Sequence, residues 1–294
     1  MDWGVRLEVP KILFVVGLIA AGTSPVSGQV ELGVITFNIR TSNGLDGENA
    51  WPLRKELVVE TIERFSPDVL SLQEALDEQV EYLDAMLPEY RWLGIDRGLN
   101  GGVELSEYTP IFYRYSELSP IESGNFWLTS TPDTPPARED GSRRRGGGRI
   151  VTWARFHHHA TSRQIYVFNT HFTLRRGQRQ IDSAELITTK VESLPVNSAV
   201  IVTGDFNNSA EDSDTWRIMT GRGLRDAWVL ADEKRGPAVT YGGFSAPGDE
   251  LPERVDWILV GRRVDVNWIE TVLHNDDGRY PSDHYPVVAS LEIR

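Results

Sequence analysis

Four short apolar runs in this chain stop at polar residues, and a fifth starts beyond a polar pair, with two residues between them. Val34-Ile35-Thr36-Phe37 ends at Asn38, Val69-Leu70-Ser71-Leu72 at Gln73-Glu74, and Ile165-Tyr166-Val167-Phe168 at Asn169-Thr170-His171. Val200-Ile201-Val202-Thr203 leads through Gly204 into Asp205 and Asn207, and Asp283-His284 comes just before the run that starts at Val287. Runs this short, rich in β-branched residues, read as buried strands. Strand ends are where a sheet holds reactive groups rigidly. Taken singly, each residue has an ordinary explanation: an Asn that turns the chain, a solvated Glu, a structural His. Five such placements in one chain ask for a common cause.

Between these runs the pattern alternates strands with helices. Trp51 to Phe65 predicts a helix with Leu53, Leu57, Val58 and Ile62 on one face. Glu78 to Leu87, Gly177 to Leu194 and Asp212 to Thr220 predict three more. Glu31 to Asn38, Ile111 to Tyr113, Phe126 to Leu128, Val255 to Val260, Val264 to Thr271 and Val287 to Leu291 predict strands. Arg149 to Phe156 and Gln164 to Asn169 predict a hairpin across a turn that holds His157-His158-His159. Strands with interspersed helices and a hairpin imply an α/β fold on mixed sheets rather than one parallel sheet. No repeat or interdomain linker interrupts the pattern. The one biased segment, Thr131 to Gly148, carries prolines and Arg143-Arg144-Arg145. It reads as a solvated insertion or as a basic flap that attracts a phosphorylated substrate.

Residues 1–28 show the order of a secretory signal: Arg6 and Lys11, the apolar run Ile12 to Gly22, then small residues from Thr23 to Gly28. The run is short for a membrane span, which needs about 20 apolar residues. The expectation is therefore an exported (periplasmic or extracellular) protein whose single domain is residues 29–294, with an uncleaved anchor as the alternative. The chain has no cysteine, which excludes disulfides, thiolate catalysis and cysteine-bound zinc. Acids outnumber bases 43 to 30, a net charge of -13, which argues against a nonspecific grip on long nucleic acid.

The sequence holds no GxxxxGK[ST] loop, no GxSxG elbow and no HExxH helix, which removes support for nucleotide cradles, serine hydrolases and zincins. The polar set supplies hard oxygen ligands suited to Mg²⁺, Mn²⁺ or Ca²⁺. It also supplies imidazoles able to donate to phosphate oxygens or shuttle protons. Together they could bind a phosphoryl group, neutralise its charge and deliver water in line.

In order along the chain stand Thr36-Phe37-Asn38-Ile39-Arg40, Leu72-Gln73-Glu74, Asn169-Thr170-His171 and Gly204-Asp205-Phe206-Asn207. Arg254-Val255-Asp256-Trp257-Ile258 and Pro281-Ser282-Asp283-His284-Tyr285-Pro286-Val287 follow. This series resembles that of the endonuclease/exonuclease/phosphatase superfamily from about Val30 to the C-terminus. The resemblance implies a four-layer α/β sandwich, two packed mixed β-sheets flanked by helices. It implies Glu74 as main metal ligand with Asn38 and Asp283 beside the same ion, and His171 as the histidine on the scissile phosphate. Asp205 would manage water or the leaving oxygen, Asn207 would hold a phosphate oxygen, and His284 would be the second histidine, its tautomer set by Asp256. Asp205 and His284 share the assignment as base.

Around this set stand further candidates. Glu107 either orients the first histidine or is a loop acid. Arg179 is a candidate substrate contact, and Arg54 a residue that ties down a loop. Tyr113 and Trp127 read as core, the histidine triplet as turn residues and His274 as a loop residue. The function implied is divalent-metal-dependent hydrolysis of a phosphoester, nuclease-like or phosphodiesterase. The alternatives are a phosphatase of small sugar, inositol or nucleotide esters, and a non-catalytic binding protein on the same fold. The expected partner is the phosphoester substrate, with no membrane partner and a monomeric chain.

Overall fold

The computed structural model describes Met1 and residues 31–98, 106–136, 148–248 and 253–294. Residues 2–30, which hold nearly all of the expected export signal, and Arg143-Arg144-Arg145 lie outside the described residues. In chain order the elements begin with β1 (Glu31–Asn38), α1 (Lys55–Phe65), β2 (Val69–Gln73), α2 (Asp77–Met86), β3 (Tyr90–Leu93) and β4 (Ile111–Arg114). There follow β5 (Leu118–Trp127), β6 (Ile150–His158), β7 (Arg163–His171), α3 (Gln178–Glu192), β8 (Ala199–Asp205) and α4 (Asp214–Gly221). The last are β9 (Arg225–Asp226), α5 (Ala227–Leu230), β10 (Glu233–Arg235), β11 (Asp256–Val260), β12 (Val264–Thr271) and β13 (Val287–Ile293).

The strands form two mixed sheets, one ordered β10-β12-β13-β1-β2-β4-β3 and the other β5-β6-β7-β8-β11-β9. Side chains on a strand alternate between faces, and the packing follows that period. Leu32 and Val34 of β1, Val69 of β2, Ile165 and Val167 of β7, and Ala199 and Ile201 of β8 fill the space between the sheets. The intervening residues Ile35, Phe37, Leu70 and Leu72 face outward onto Val58, Ile62, Val80 and Leu83 of α1 and α2. On the other side Phe168, Val200 and Val202 meet Ala184 and Ile187 of α3 and Met219 of α4. Helix, sheet, sheet, helix is the four-layer sandwich that the resemblance implied. Among the described residues no helix is long and apolar enough to cross a membrane.

The same alternation places the site. Following the inner face along β1, β2, β7 and β8, apolar residues give way to Thr36 and Asn38, Ser71 and Gln73, Asn169 and His171, and Thr203 and Asp205. The register puts Asn38 beside Gln73, and His171 beside Asp205, with Asp256 of β11 on the other side of Asp205. One end of the inter-sheet space is therefore polar. Cross-sheet hydrogen bonds bolt it shut: Gln73 Nε2 donates to Asn169 Oδ1 at 2.7 Å, and Asn169 Nδ2 donates to the Leu72 and Pro110 carbonyls at 2.8 and 2.9 Å.

Three local expectations differ from the structure. Leu53 is 52% exposed, because Trp51–Leu53 forms a separate 3-10 turn and α1 starts only at Lys55. His157 and His158 belong to β6, and the hairpin turns after them. His158 Nδ1 is 2.9 Å from Thr161 Oγ1, and His159 places its two ring nitrogens on the Ser116 carbonyl and Ser119 Oγ at 2.6 and 2.7 Å. Strand β5 begins at Leu118, well before Phe126, and Ser119 to Ser123 on it are exposed. An edge strand facing water carries no apolar alternation to read.

Candidate active site

The loop after β1 is built around two acceptors. Glu74 Oε2 accepts from the Thr41 amide at 3.2 Å, while Gln79 Oε1 accepts from the Ser42 and Leu76 amides at 3.0 and 3.1 Å. Arg54, fully buried, donates to the carbonyls of Ile39, Arg40, Asn49 and Pro281 at 2.6 to 2.9 Å. It thus ties the loop after β1 to the segment that carries Asp283 and His284. Burial pushes its guanidinium down to about 10, so it stays charged at neutral pH. Glu74 itself holds φ at 62°, as does Asn207 at 50°, both in the left-handed region that non-glycine residues seldom occupy.

All eight site residues expected from the sequence converge at the polar end of the sandwich. Asn38 Nδ2 donates to Glu74 Oε1 at 3.2 Å and to Asp205 Oδ2 at 2.9 Å, bridging the two sheets. Asp205 Oδ2 lies 3.3 Å from His171 Nε2 and 3.8 Å from His284 Nε2, so one buried carboxylate stands between two imidazoles. Asp205 Oδ1 accepts from the Asn207 amide at 2.9 Å, and Asn207 Nδ2 donates to the Phe172 carbonyl at 2.9 Å. His284 Nδ1 is 2.8 Å from Asp256 Oδ2. Arg40 links Glu74 and Asp283 at 3.9 Å each and is held by Asp46 at 3.0 Å.

Electrostatics divide the two histidines. Burial, reinforced by Arg149 and Arg97, holds His171 well below the usual imidazole value, which favours its neutral form. Burial pulls His284 the same way, but Asp256 and Asp205 outweigh it and hold it well above. Burial and the neighbouring Asp256 raise Asp205, and burial with Glu74 nearby raises Asp283.

Among the secondary candidates, Glu107 is no surface acid. Its Oε2 lies 3.9 Å from His171 Nδ1, beyond hydrogen-bond reach, and burial raises its carboxyl. Tyr113 packs in the core against Phe156, and Trp127 is buried with its Nε1 donating to the Arg97 carbonyl at 2.9 Å. His274 approaches only Glu60, at 4.0 Å. Residues that sequence reasoning missed include Arg40, which sat inside a quoted motif without a role, and Tyr241. Tyr241 is 53% exposed and meets His284 edge-on at 5.0 Å between ring centres. The paired Gly242-Gly243 after it was the only signal that the chain turns there.

The donor set fits a hard divalent cation. Glu74, His171 and Asp205 can each bring one ligand atom to within 4.8 Å of the others, and so can Asp205, Asp256 and His284. Asp283 adds a fourth carboxylate whose buried charge Arg40, His284 and Arg54 offset.

Residues 35–284 match the model of the Endonuclease/Exonuclease/phosphatase family. An endonuclease/exonuclease/phosphatase from Bacteroides vulgatus is 32% identical and superposes with a TM-score of 0.81, over 90% of this chain and 100% of that one. A mannosyl-6-phosphatase from Bacteroides thetaiotaomicron is 27% identical with a TM-score of 0.78, over 88% of this chain and 99% of that one. An uncharacterized protein of Acanthamoeba polyphaga mimivirus is 27% identical over 169 residues. That match spans 53% of this chain and only 59% of the relative.

Proposed function

The chain belongs to the endonuclease/exonuclease/phosphatase family, and from that premise we propose that it is a divalent-metal-dependent phosphoester hydrolase. The observation that carries this reading is Asp205, buried between His171 and His284 and bridged through Asn38 to Glu74. Glu74 and Asp283, with Asn38 beside them, would hold a Mg²⁺, Mn²⁺ or Ca²⁺ ion. When bound, that ion neutralises charge on the phosphoryl oxygens.

The chain's own groups do the rest. Asp205, its basicity raised by burial, accepts the proton of the attacking water, and its contacts with both imidazoles keep it aimed. His284, kept protonated by Asp256, donates to a phosphoryl oxygen, while neutral His171 holds the phosphate from the other side. Asn207 keeps one amide N–H for a phosphate oxygen after bonding Phe172. Attack in line then needs no covalent enzyme intermediate.

We favour a small phosphorylated metabolite over nucleic acid. Support comes from the net charge of -13 and from the likeness to a mannosyl-6-phosphatase along nearly all of that chain. Export is our reading of residues 1–28 and rests on their charged, apolar, small-residue order.

The test is a cleavage panel on the protein without residues 1–28, run with Mg²⁺, Mn²⁺ or Ca²⁺ and with chelator. The substrates are sugar and inositol phosphates, nucleotides, a diester reporter and single- and double-stranded nucleic acid. Metal-dependent release of phosphate from monoesters is the expected result. Cleavage of polymers instead would move the protein to the nuclease side. Silence with every metal, from a folded sample, would leave the binding-protein reading standing.

A further inference from the structure

Behind Glu107 lies a cavity of about 830 Å³, framed by Arg97, Arg149, Thr173 and the hydroxyl-bearing Thr129 and Ser130, with α3 forming its far wall. Arg97 Nη2 meets Glu107 Oε1 at 2.7 Å, and Arg149 Nη1 stands 3.8 Å from Glu107 Oε2. Two guanidinium groups thus share one carboxylate at close range, and Asp205 and Glu74 act on Arg149 from farther off. Arg97 Nε and Arg149 Nη1 are buried without a hydrogen-bond partner. An unsatisfied buried donor is unfavourable, and more so when it carries charge. Arg179, exposed on α3, adds a third cation at the rim. Asp182 and Glu185 line the same helix wall; Asp182 already accepts from Gln178 at 2.8 Å, and neither is paired with Arg97 or Arg149.

The cavity adjoins the catalytic cluster. Glu107 Oε2 is 3.9 Å from His171 Nδ1, and Thr173 follows His171 by two residues. The field of Arg149 and Arg97 already reaches His171, where it disfavours the protonated ring.

We propose that this cavity is a second-phosphate subsite, in which Arg97, Arg149 and Arg179 receive a phosphate group of the substrate other than the one hydrolysed. Planar guanidinium forks suit bidentate recognition of phosphate, and the flanking hydroxyls suit the polyhydroxylated body that joins the two groups. The catalytic half of the proposal rests on the phosphoesterase reading; the anion site does not.

The test separates the two. Purified, chelator-treated protein is titrated with inorganic sulfate by calorimetry at constant ionic strength. Arg179 is exposed, so Arg179→Gln leaves the fold intact. One sulfate site is expected, weakened at least about tenfold in Arg179→Gln and retained in His284→Ala. Equal binding in Arg179→Gln, loss in His284→Ala, or no site in the wild type overturns the subsite. In the kinetic arm, kcat/KM is compared within two pairs: hexose bisphosphate against monophosphate, and a 5′-phosphorylated dinucleotide against its unphosphorylated form. A preference for the extra phosphate that falls toward unity in Arg179→Gln supports the subsite and shows which source fills it. Equal kcat/KM within both pairs refutes it. Absence of all turnover beside an intact sulfate site would remove the phosphoesterase reading and keep the anion site.

Discussion

Asp256→Asn separates orientation from mere burial at the catalytic histidine. His284 Nδ1 lies 2.8 Å from Asp256 Oδ2, and both side chains are almost wholly buried. The groups that face His284 include Asp256, Asp205, Asp283, His171 and the ring of Tyr241. Only Asp256 accepts a hydrogen bond from Nδ1. A hydrogen bond to a charged group contributes roughly 1.5–3 kcal/mol, and at about 1.36 kcal/mol per tenfold that is a factor of roughly 10–150 in rate. Asparagine can also turn its N–H₂ toward Nδ1 and select the wrong tautomer, which adds to the loss. A drop in kcat of about 100-fold or more is therefore expected.

The sign of the pH effect follows from the shift. His284 is held well above its ordinary value in the wild type, so the protonated ring persists as pH rises and is lost only at that raised value. In Asp256→Asn the loss comes earlier, so the alkaline limb of kcat/KM moves to lower pH. The assay is a pH series of kcat/KM on whichever ester the panel identifies, with circular dichroism to establish folding. A folded variant with wild-type kcat and an unmoved alkaline limb refutes the role given to Asp256.

Three further outcomes are expected. Arg54→Met leaves four loop carbonyls without their donor, and at roughly 1–3 kcal/mol for each unsatisfied group urea unfolding should register a loss of at least about 3 kcal/mol; a change under about 1 kcal/mol contradicts the bolt. Asn169→Leu removes both the Leu72 and Pro110 bonds and the partner of Gln73, so a loss of about 2–4 kcal/mol is expected, checked by the same melt. Metal bound only to the folded state at 100 times its Kd adds about 2.7 kcal/mol. Mg²⁺ or Mn²⁺ should therefore raise Tm over the chelated protein, and Glu74→Gln should shrink that shift; an identical shift in the variant argues against Glu74 as a ligand.

Much of this was legible in the sequence because the sheet rule is simple. Apolar bias and short β-branched runs identified β1, β2, β7 and β8, and the abrupt polar ends of those four strands marked where the site would be. The layering was not legible from periodicity: which face of β1 meets the second sheet and which meets α1 depends on pairing between distant segments, and it came from the resemblance. Edge strands β3 and β5 were lost or shortened because water on one side removes the apolar signal. Arg97 and Arg149 carried no signal, since an arginine that lines a cavity reads like any solvated arginine until its neighbours are in place.

The polar end of the sandwich also shows why so many of the motif residues are not themselves reactive. Gathering Glu74, Asp205, Asp256 and Asp283 in one buried place is electrostatically unfavourable, as the raised carboxyls of Asp205 and Asp283 record. The left-handed backbone of Glu74 adds strain of roughly 1–3 kcal/mol. Such an arrangement persists only where its surroundings over-determine it. Gln73 and Asn169 lock the sheets together, Gln79 fixes the loop after β1, and Arg54 joins that loop to the Asp283–His284 segment. None of the four is assigned to touch substrate. Their bonds hold the repelling groups at fixed separations, so a cation or a phosphoryl group that enters finds its partners already oriented. Substitutions at Gln73, Gln79, Arg54 and Asn169 should therefore lower stability and activity together, whereas loss of Asp205 should relieve repulsion and lower activity alone.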